Sequence, residues 1–384
     1  MADLELLEPF LEPRHFELAA ALDRFAAESI APLPHAATDD AARAQAPELL
    51  ALLGAAGYVR LALPEGEGEL PDLRACCLVR ETLAAASPLA DSIFALQCLG
   101  SQPILLGGSP ELRRKFLPEA IAGRRMAAFA MTEPEAGSDV ANLETRARRD
   151  GGDWVIDGHK WLITNAGAAD FYCVFARTGE APGSRGISCF LVEADNPGFR
   201  FAGAQVLSEP HPLGELRFEN CRVPAGNLLG QEGQGFKLGM ATLDRLRPTV
   251  AAAACGFAAR ALEEALAHAK RRRLFGQPLA AQPILQQMLA KMATELDASR
   301  LLTWRAARAA DRGKARITRE AATAKSYATE AAQRIVDQAV QILGGRGCLA
   351  DHPVDRLYRA VRALRIYEGA TEVQQLVIAR QLLA

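Results

Sequence analysis

The chain has 384 residues, 49% hydrophobic and 23% charged, which suits two or three packed domains better than one small core. Its 44 basic and 46 acidic side chains leave a formal net charge of -2, so nothing points to a nucleic-acid surface or a polybasic membrane anchor. Eight cysteines are scattered without a C-x-x-C or a Cys/His pair at zinc spacing; no metal site is expected, and the thiols read as small buried groups in a reducing compartment.

The N-terminus, MADLELLEPF, is acidic and lacks the basic and apolar regions of a signal peptide. The longest uninterrupted apolar run, Val250 to Ala259, is about ten residues against the ~20 needed to cross a bilayer. A cytoplasmic protein with no membrane insertion is expected. Residues 1–124 are predicted to form a helical domain: Phe16, Ala19, Ala20, Leu22 and Phe25, then Leu49, Leu50 and Leu53, recur at spacings of three and four. Gly54, Gly57 and the stretch from Pro64 to Pro71 punctuate it.

Residues 125–230 change texture to a predicted β-domain. Trp154-Val-Ile156 and Trp161-Leu-Ile163 are short runs of strand formers, and Asp157-Gly158 between them predicts a hairpin turn. Further strand-like runs cover 171–175, 187–192 and 216–218. At the domain's entry, Ala130-Met-Thr-Glu-Pro-Glu-Ala-Gly-Ser-Asp139 gathers hydroxyls on Thr132 and Ser138 around a glycine, Gly137, that lets a ligand approach the backbone. The plain alternative is a polar loop with a turn. Thr164-Asn165 ends a strand and is able to present a hydroxyl to a polar heterocycle.

Residues 231–384 are predicted to be a bundle of long helices, broken near Gly276-Gln-Pro278, Arg312-Gly313 and Gly344 to Pro353. Gln341-Ile-Leu-Gly-Gly-Arg-Gly347 is a glycine-rich helix end, with either a structural or a phosphate-approach role. In Ile366-Tyr-Glu-Gly-Ala-Thr-Glu-Val-Gln-Gln375, Thr371 and Gln374 fit a capping box. Glu368-Gly369 then lies just before a helix N-terminus, where free N–H groups favour anions. Glu368 reads either as an ordinary surface acid or, with Leu364, Ile366 and Tyr367 as apolar neighbours, as a buried carboxylate whose raised pKa suits a general base. His159, His211 and His352 have no partner at useful spacing and read as structural, and there is no Ser/His/Asp or P-loop signature.

Taken together, AMTEPEAGSD (130–139), KWLITNA (160–166), RRRLFGQPL (271–279), QILGGRG (341–347) and IYEGATEVQ (366–374) resemble the acyl-CoA dehydrogenase family, in its order and spacing and nearly end to end. The resemblance implies an α+β multidomain fold: an N-terminal helical domain, a central β-barrel-like domain and a C-terminal four-helix bundle. It implies non-covalent FAD, with Met131, Thr132, Gly137, Ser138, Leu162 and Thr164 at flavin-contact positions, and Gly369 and Thr371 at the pyrophosphate. It places Arg272, Phe275, Gln282, Gln341, Gly344 and Gly345 against the FAD of a neighbouring subunit, in a homotetramer built as a dimer of dimers. Ser138, Arg247, Tyr367 and Gly369 fall at substrate positions.

By the same resemblance, Glu368 is the catalytic base. A minority position for that base falls on Leu246, which cannot serve. The implied reaction is α,β-dehydrogenation of an acyl-CoA thioester to the trans-2-enoyl-CoA, with β-hydride transfer to flavin N5 and electrons passed to an electron-transferring flavoprotein. Two departures stand out. Leu162 occupies a position that is usually aromatic, with Trp161 one residue early and so expected on the other strand face. Ala360 follows Arg359 where aspartate is common. The alternative readings are an acyl-CoA oxidase or another flavin enzyme of the same superfamily that uses oxygen, such as a monooxygenase, which would need no α-proton base at Glu368, and a non-catalytic scaffold, which would purify colourless; rapid peroxide production on re-oxidation in air would reveal the oxidase. Phe94 and Leu96 favour short or branched acyl groups.

Overall fold

The computed structural model describes residues 2–65, 69–314 and 316–383; within the punctuating stretch at 64–71, residues 66–68 lie outside the described residues. In chain order the elements are helices α1 (Leu4–Leu7), α2 (Pro13–Phe25), α3 (Asp39–Ala55), α4 (Tyr58–Ala62), α5 (Leu73–Ala86), α6 (Pro88–Gly107) and α7 (Pro110–Ile121). Eight strands follow: β1 (Ala127–Ala130), β2 (Arg146–Asp150), β3 (Asp153–Thr164), β4 (Phe171–Arg177), β5 (Ile187–Glu193), β6 (Phe199–Ala204), β7 (Leu213–Pro224) and β8 (Leu228–Leu229). Then come α8 (Gly235–Arg271), the short hairpin β9 (Arg273–Leu274) and β10 (Gln277–Pro278), α9 (Pro283–Asp311), α10 (Thr318–Leu343), α11 (Pro353–Leu364) and α12 (Thr371–Leu383). The helix, sheet, helix order is the predicted one. The helical breaks at 276–278, 312–313 and 344–353 also fall where glycine and proline place them.

In space the chain divides into two compact units. One takes the residues up to Pro34, Asp72–Asp91 and everything from Asp244; the other takes His35–Pro71 and Ser92–Leu243. The second unit holds the sheet, ordered β6-β7-β3-β2-β4-β5-β8 with β1 beside β4. Its pairs are antiparallel except β1 with β4 and β2 with β4. All of β4 from Phe171 to Ala176 is buried, as a continuous apolar run requires.

The hairpin expected at Asp157-Gly158 is not there. β3 runs unbroken through both residues, and its register against β7 slips between Ile156 and Gly158. A Cβ on Gly158 would lie 2.4 Å from the Thr145 hydroxyl, so this glycine serves a bulge and a close approach rather than a turn. The turn that joins β2 to β3 is Gly151-Gly152, with Gly151 at φ 64°.

A second slip falls between Lys160 and Ile163, around Trp161 and Leu162, so strict alternation does not hold there. Lys160 is fully buried, Trp161 half-buried and Leu162 exposed at φ 53°.

Among the described residues, α6 is long and apolar enough to cross a membrane by length and composition, although 78% of its apolar window is buried. Counting only uninterrupted apolar runs missed it, because Asp91, Ser92, Gln97, Ser101 and Gln102 interrupt the sequence. Those five residues are buried or half-buried, as in the core helix of a folded protein.

The first unit is helical. α10 packs against α9, α11 and α12, and an alanine-rich seam of α8 (Ala251, Ala254, Ala258, Ala261 and Ala265) lies in the same core with Ile335, Val336 and Leu357. Small residues let these helices approach closely. The tightest point is Gly256 of α8, where a Cβ would meet the Glu81 carbonyl oxygen of α5 at 2.2 Å. Backbone cannot give way as a side chain can. Gly256→Ala is therefore expected to destabilise the protein by about 1–3 kcal/mol, the usual cost of overpacking, read as a lower urea midpoint at unchanged slope.

Candidate active site

α11 ends at Leu364, and α12 begins at Thr371. The connecting turn places Glu368 at φ 52° and Gly369 at φ 94°. A left-handed glutamate is uncommon, and such strain persists only where surrounding contacts over-determine it. Here three helices supply those contacts. From α8, Arg247 Nε donates to the Glu368 carbonyl at 3.2 Å. From α10, Lys325 Nζ donates to the Gly369 carbonyl at 2.7 Å. From α12, Gln374 Nε2 donates to both carbonyls, at 3.3 and 3.1 Å.

The capping box expected between Thr371 and Gln374 does not form. Thr371 is the first residue of α12, and its hydroxyl donates to Glu330 Oε1 at 2.7 Å, an oxygen that also accepts from Arg365 Nε at 2.7 Å. Gln374 reaches back to the turn instead. The N–H groups of Glu368 and Gly369 have no acceptor among the described residues. They are open donors beside a helix N-terminus.

The Glu368 carboxyl lies among charges. Its Oε2 is buried with no hydrogen-bond partner. Burial pushes its pKa above the ordinary carboxylate value, and Arg80, Arg247 and Lys325 pull against that rise. Arg80 grips Asp91 in a two-pronged pair at 2.8 and 2.7 Å and also donates to the Thr249 hydroxyl at 3.3 Å. Arg247 pairs with Asp244. Burial likewise raises the Tyr367 phenol and lowers the Lys325 ammonium to about 8. A carboxyl whose proton affinity is raised by burial, beside cations that stabilise its anion, is chemically equipped to take a proton from a carbon acid. Leu246, one residue before Arg247, is apolar and buried.

Of the residues singled out from sequence, Arg247, Tyr367, Glu368, Gly369 and Thr371 come together in this cluster. Arg80, Asp91, Thr249, Lys325 and Glu330 belong to it too and were missed. A signal for Lys325 did exist: with Ala321, Ala328 and Ala332 it sits on one helical stripe that Ile335 and Val336 continue.

Arg272, Phe275, Gln282, Gln341, Gly344 and Gly345 stand elsewhere on this unit, on and around the β9–β10 hairpin and at the end of α10. Gln282 is half-buried and the other five are exposed; Phe275 is 88% exposed at φ 49°, an aromatic ring held out on a strained turn.

In the sheet unit, Met131, Thr132, Gly137 and Ser138 follow β1, while Leu162 and Thr164 end β3. The Trp161 N–H donates to the Thr132 carbonyl at 3.0 Å, tying the loop to the strand. Beneath it lies a buried ion pair absent from the sequence reading. Lys160 Nζ donates to Glu133 Oε1 at 2.7 Å and to the Met131 carbonyl at 3.0 Å. Glu133 also accepts from the N–H groups of Glu144 and Thr145, at 2.5 and 3.0 Å. The side-chain hydroxyls of Thr132, Ser138 and Thr164 take part in no hydrogen bond among the described residues. In this unit those hydroxyls are open to a polar heterocycle, and in the helical unit the unpartnered Glu368 and Gly369 N–H groups are open donors of the kind phosphates take. No metal-ligating cluster occurs among the described residues.

The family models describing the N-terminal, middle and C-terminal domains of acyl-CoA dehydrogenases match residues 12–124, 128–221 and 233–383. A probable acyl-CoA dehydrogenase of Mycobacterium leprae is 39% identical over 377 residues, 97% of this chain and 96% of that protein. The structure of butyryl-CoA dehydrogenase from Megasphaera elsdenii superimposes with a TM-score of 0.88 at 33% identity, covering 97% of this chain and 99% of the other. That of a glutaryl-CoA dehydrogenase from Mycobacterium smegmatis in complex with FADH2 gives 0.87 at 28% identity, covering 98% and 96%. With three domains matched in order over nearly the whole length and relatives covered almost end to end, the chain belongs to the acyl-CoA dehydrogenase family, oxidoreductases that depend on flavin.

Proposed function

We propose that this protein dehydrogenates an acyl-CoA thioester between its α and β carbons, with Glu368 as the base that removes the α-proton and FAD as the resident cofactor. The observation that carries this reading is the Glu368 Oε2 atom, which is buried, unpartnered and adjacent to three cations. A surface glutamate would have none of these features. The bound flavin supplies the acceptor for the two electrons and the β-hydrogen.

The chain's own residues do the rest. Arg247 and Gln374 fix the carbonyls of the turn, so the carboxylate is presented without a conformational search. The open Glu368 N–H is a donor suited to the negative charge that grows on the thioester oxygen as the proton leaves. One such preorganised donor is typically worth ~3 kcal/mol in the transition state. Tyr367, Gly369 and Ser138 complete the substrate contacts. Phe94, buried in α6, favours short or branched acyl chains. A panel of acyl-CoA lengths tests that preference, and highest activity on long straight chains would refute it.

Thr132, Thr164, Met131, Leu162, Gly137 and Ser138 would hold the flavin, and Gly369 and Thr371 its pyrophosphate. The exposed set Arg272, Phe275, Gln282, Gln341, Gly344 and Gly345 would reach the FAD of a second copy, in a dimer of dimers that passes electrons to an electron-transferring flavoprotein. Arginine suits a pyrophosphate because its planar fork makes paired, charge-assisted hydrogen bonds of ~1.5–3 kcal/mol each. Arg272→Ala is accordingly expected to weaken FAD binding about tenfold or more, measured as the dissociation constant on reconstitution of stripped protein. Unchanged affinity would remove Arg272 from the cofactor site.

A further inference from the structure

Lys325 is a buried cation whose role the reaction scheme leaves open. Its side chain is fully buried in α10, on a stripe with Ala321, Ala328, Thr329 and Ala332. Burying an ammonium is costly unless it is paired and hydrogen-bonded. Yet Lys325 makes no direct ion pair among the described residues, and its one hydrogen bond runs to the carbonyl of Gly369. A methionine or leucine there would fill the same space at no desolvation cost. The charges that face it are Glu368, Glu330 and Glu372, opposed by Arg247. Those that face Glu368 in turn are Arg80, Arg247 and Lys325, with Asp91 acting against them. The other two cations already have carboxylate partners: Arg80 is committed to Asp91, and Arg247 to Asp244. Lys325 alone brings a positive charge to Glu368 that is not already neutralised in a direct pair.

We propose that Lys325 is a positioning residue for Glu368: its ammonium holds the Glu368–Gly369 turn by the Gly369 carbonyl and supplies the counter-charge that keeps the carboxylate ionised and ready to accept a proton. This rests on the reading of Glu368 as the base. Two effects follow from one group. The hydrogen bond opposes relaxation of the left-handed turn, and the charge limits how far burial raises the proton affinity of the carboxylate. The local field also has a limited pH range, because Lys325 loses its proton near pH 8.

The test uses the FAD-loaded protein and three variants. Lys325→Met removes both the charge and the donor, Lys325→Gln keeps a donor for the Gly369 carbonyl without charge, and Glu368→Gln identifies the Glu368 band in infrared difference spectra. The Glu368 carboxyl is then titrated through that band, beside the acidic limb of kcat. In both Lys325 variants the midpoint should move up by about one pH unit or more. The kcat limb should follow it, while KM for the acyl-CoA stays within roughly threefold. A merely structural lysine would leave the midpoint in place. A shift below about 0.3 unit in whichever variant folds overturns the proposal. The two readings fail separately: an inactive Glu368→Gln with an unmoved midpoint sinks only the role of Lys325, and an active Glu368→Gln sinks the base itself.

Discussion

Glu368→Gln is expected to lower turnover by ~10²–10⁴-fold, the range general-base catalysis typically contributes, while FAD and acyl-CoA affinities stay close to wild type. Glutamine is nearly isosteric, and the carbonyls gripped by Arg247, Lys325 and Gln374 are backbone atoms that the substitution does not touch. The turn should therefore keep its path and its open N–H groups. What disappears is the proton acceptor, and Leu246 offers no replacement. Turnover with an artificial electron acceptor gives the rate, and equilibrium binding of acyl-CoA separates chemistry from affinity. Loss of FAD or substrate binding with little change in the remaining rate would make Glu368 a structural residue.

The second large effect is on stability. Lys160→Met should cost about 3–5 kcal/mol, because it leaves the Glu133 carboxylate buried without its cation and the Met131 carbonyl without its donor. Urea unfolding measures this, and Lys160→Met/Glu133→Gln should recover part of the loss, since the amide carries no charge to strand. A loss below about 1 kcal/mol in the single variant would mean that water reaches the site and screens it.

The pair also makes a pH prediction. Burial, the largest single influence on Glu133, pushes its pKa up, but Lys160 and the Glu144 and Thr145 neighbours carry it below the ordinary value. A carboxyl whose folded pKa is depressed binds fewer protons in the native chain than in the unfolded one. Its stabilisation is complete above the unfolded value of ~4.3 and is lost as pH falls through the folded value. Wild-type stability should therefore fall on that acid side, and Lys160→Met should flatten the Glu133 contribution to the fall.

How much of this was legible in the sequence depends on the kind of signal. The helix, sheet, helix order was readable because periodicity and glycine–proline breaks are local. The place of Glu368 just before a helix start was readable because the glycine and threonine that follow it are local signals. Lys160 and Lys325 were not singled out, since a lysine in sequence looks the same whether it faces water or a carbonyl several helices away. Only its place on an apolar stripe marks it. Asp157-Gly158 was misread because the dipeptide that favours a hairpin turn equally permits a bulge. What decides between them is Thr145, just before the neighbouring strand β2, which leaves no room for a Cβ. The Thr371–Gln374 cap failed for a related reason: Glu330 and the turn carbonyls were better partners than the helix's own first N–H groups.

Whether Glu368 takes the α-proton is decided by anaerobic mixing of the FAD-loaded protein with acyl-CoA, followed through the flavin absorbance in wild type and Glu368→Gln side by side. Wild type is expected to bleach as enoyl-CoA forms, and the variant to bind the same acyl-CoA but bleach at least ~10²-fold more slowly. Bleaching of the variant within about tenfold of the wild-type rate would contradict that role and assign the α-proton to another residue.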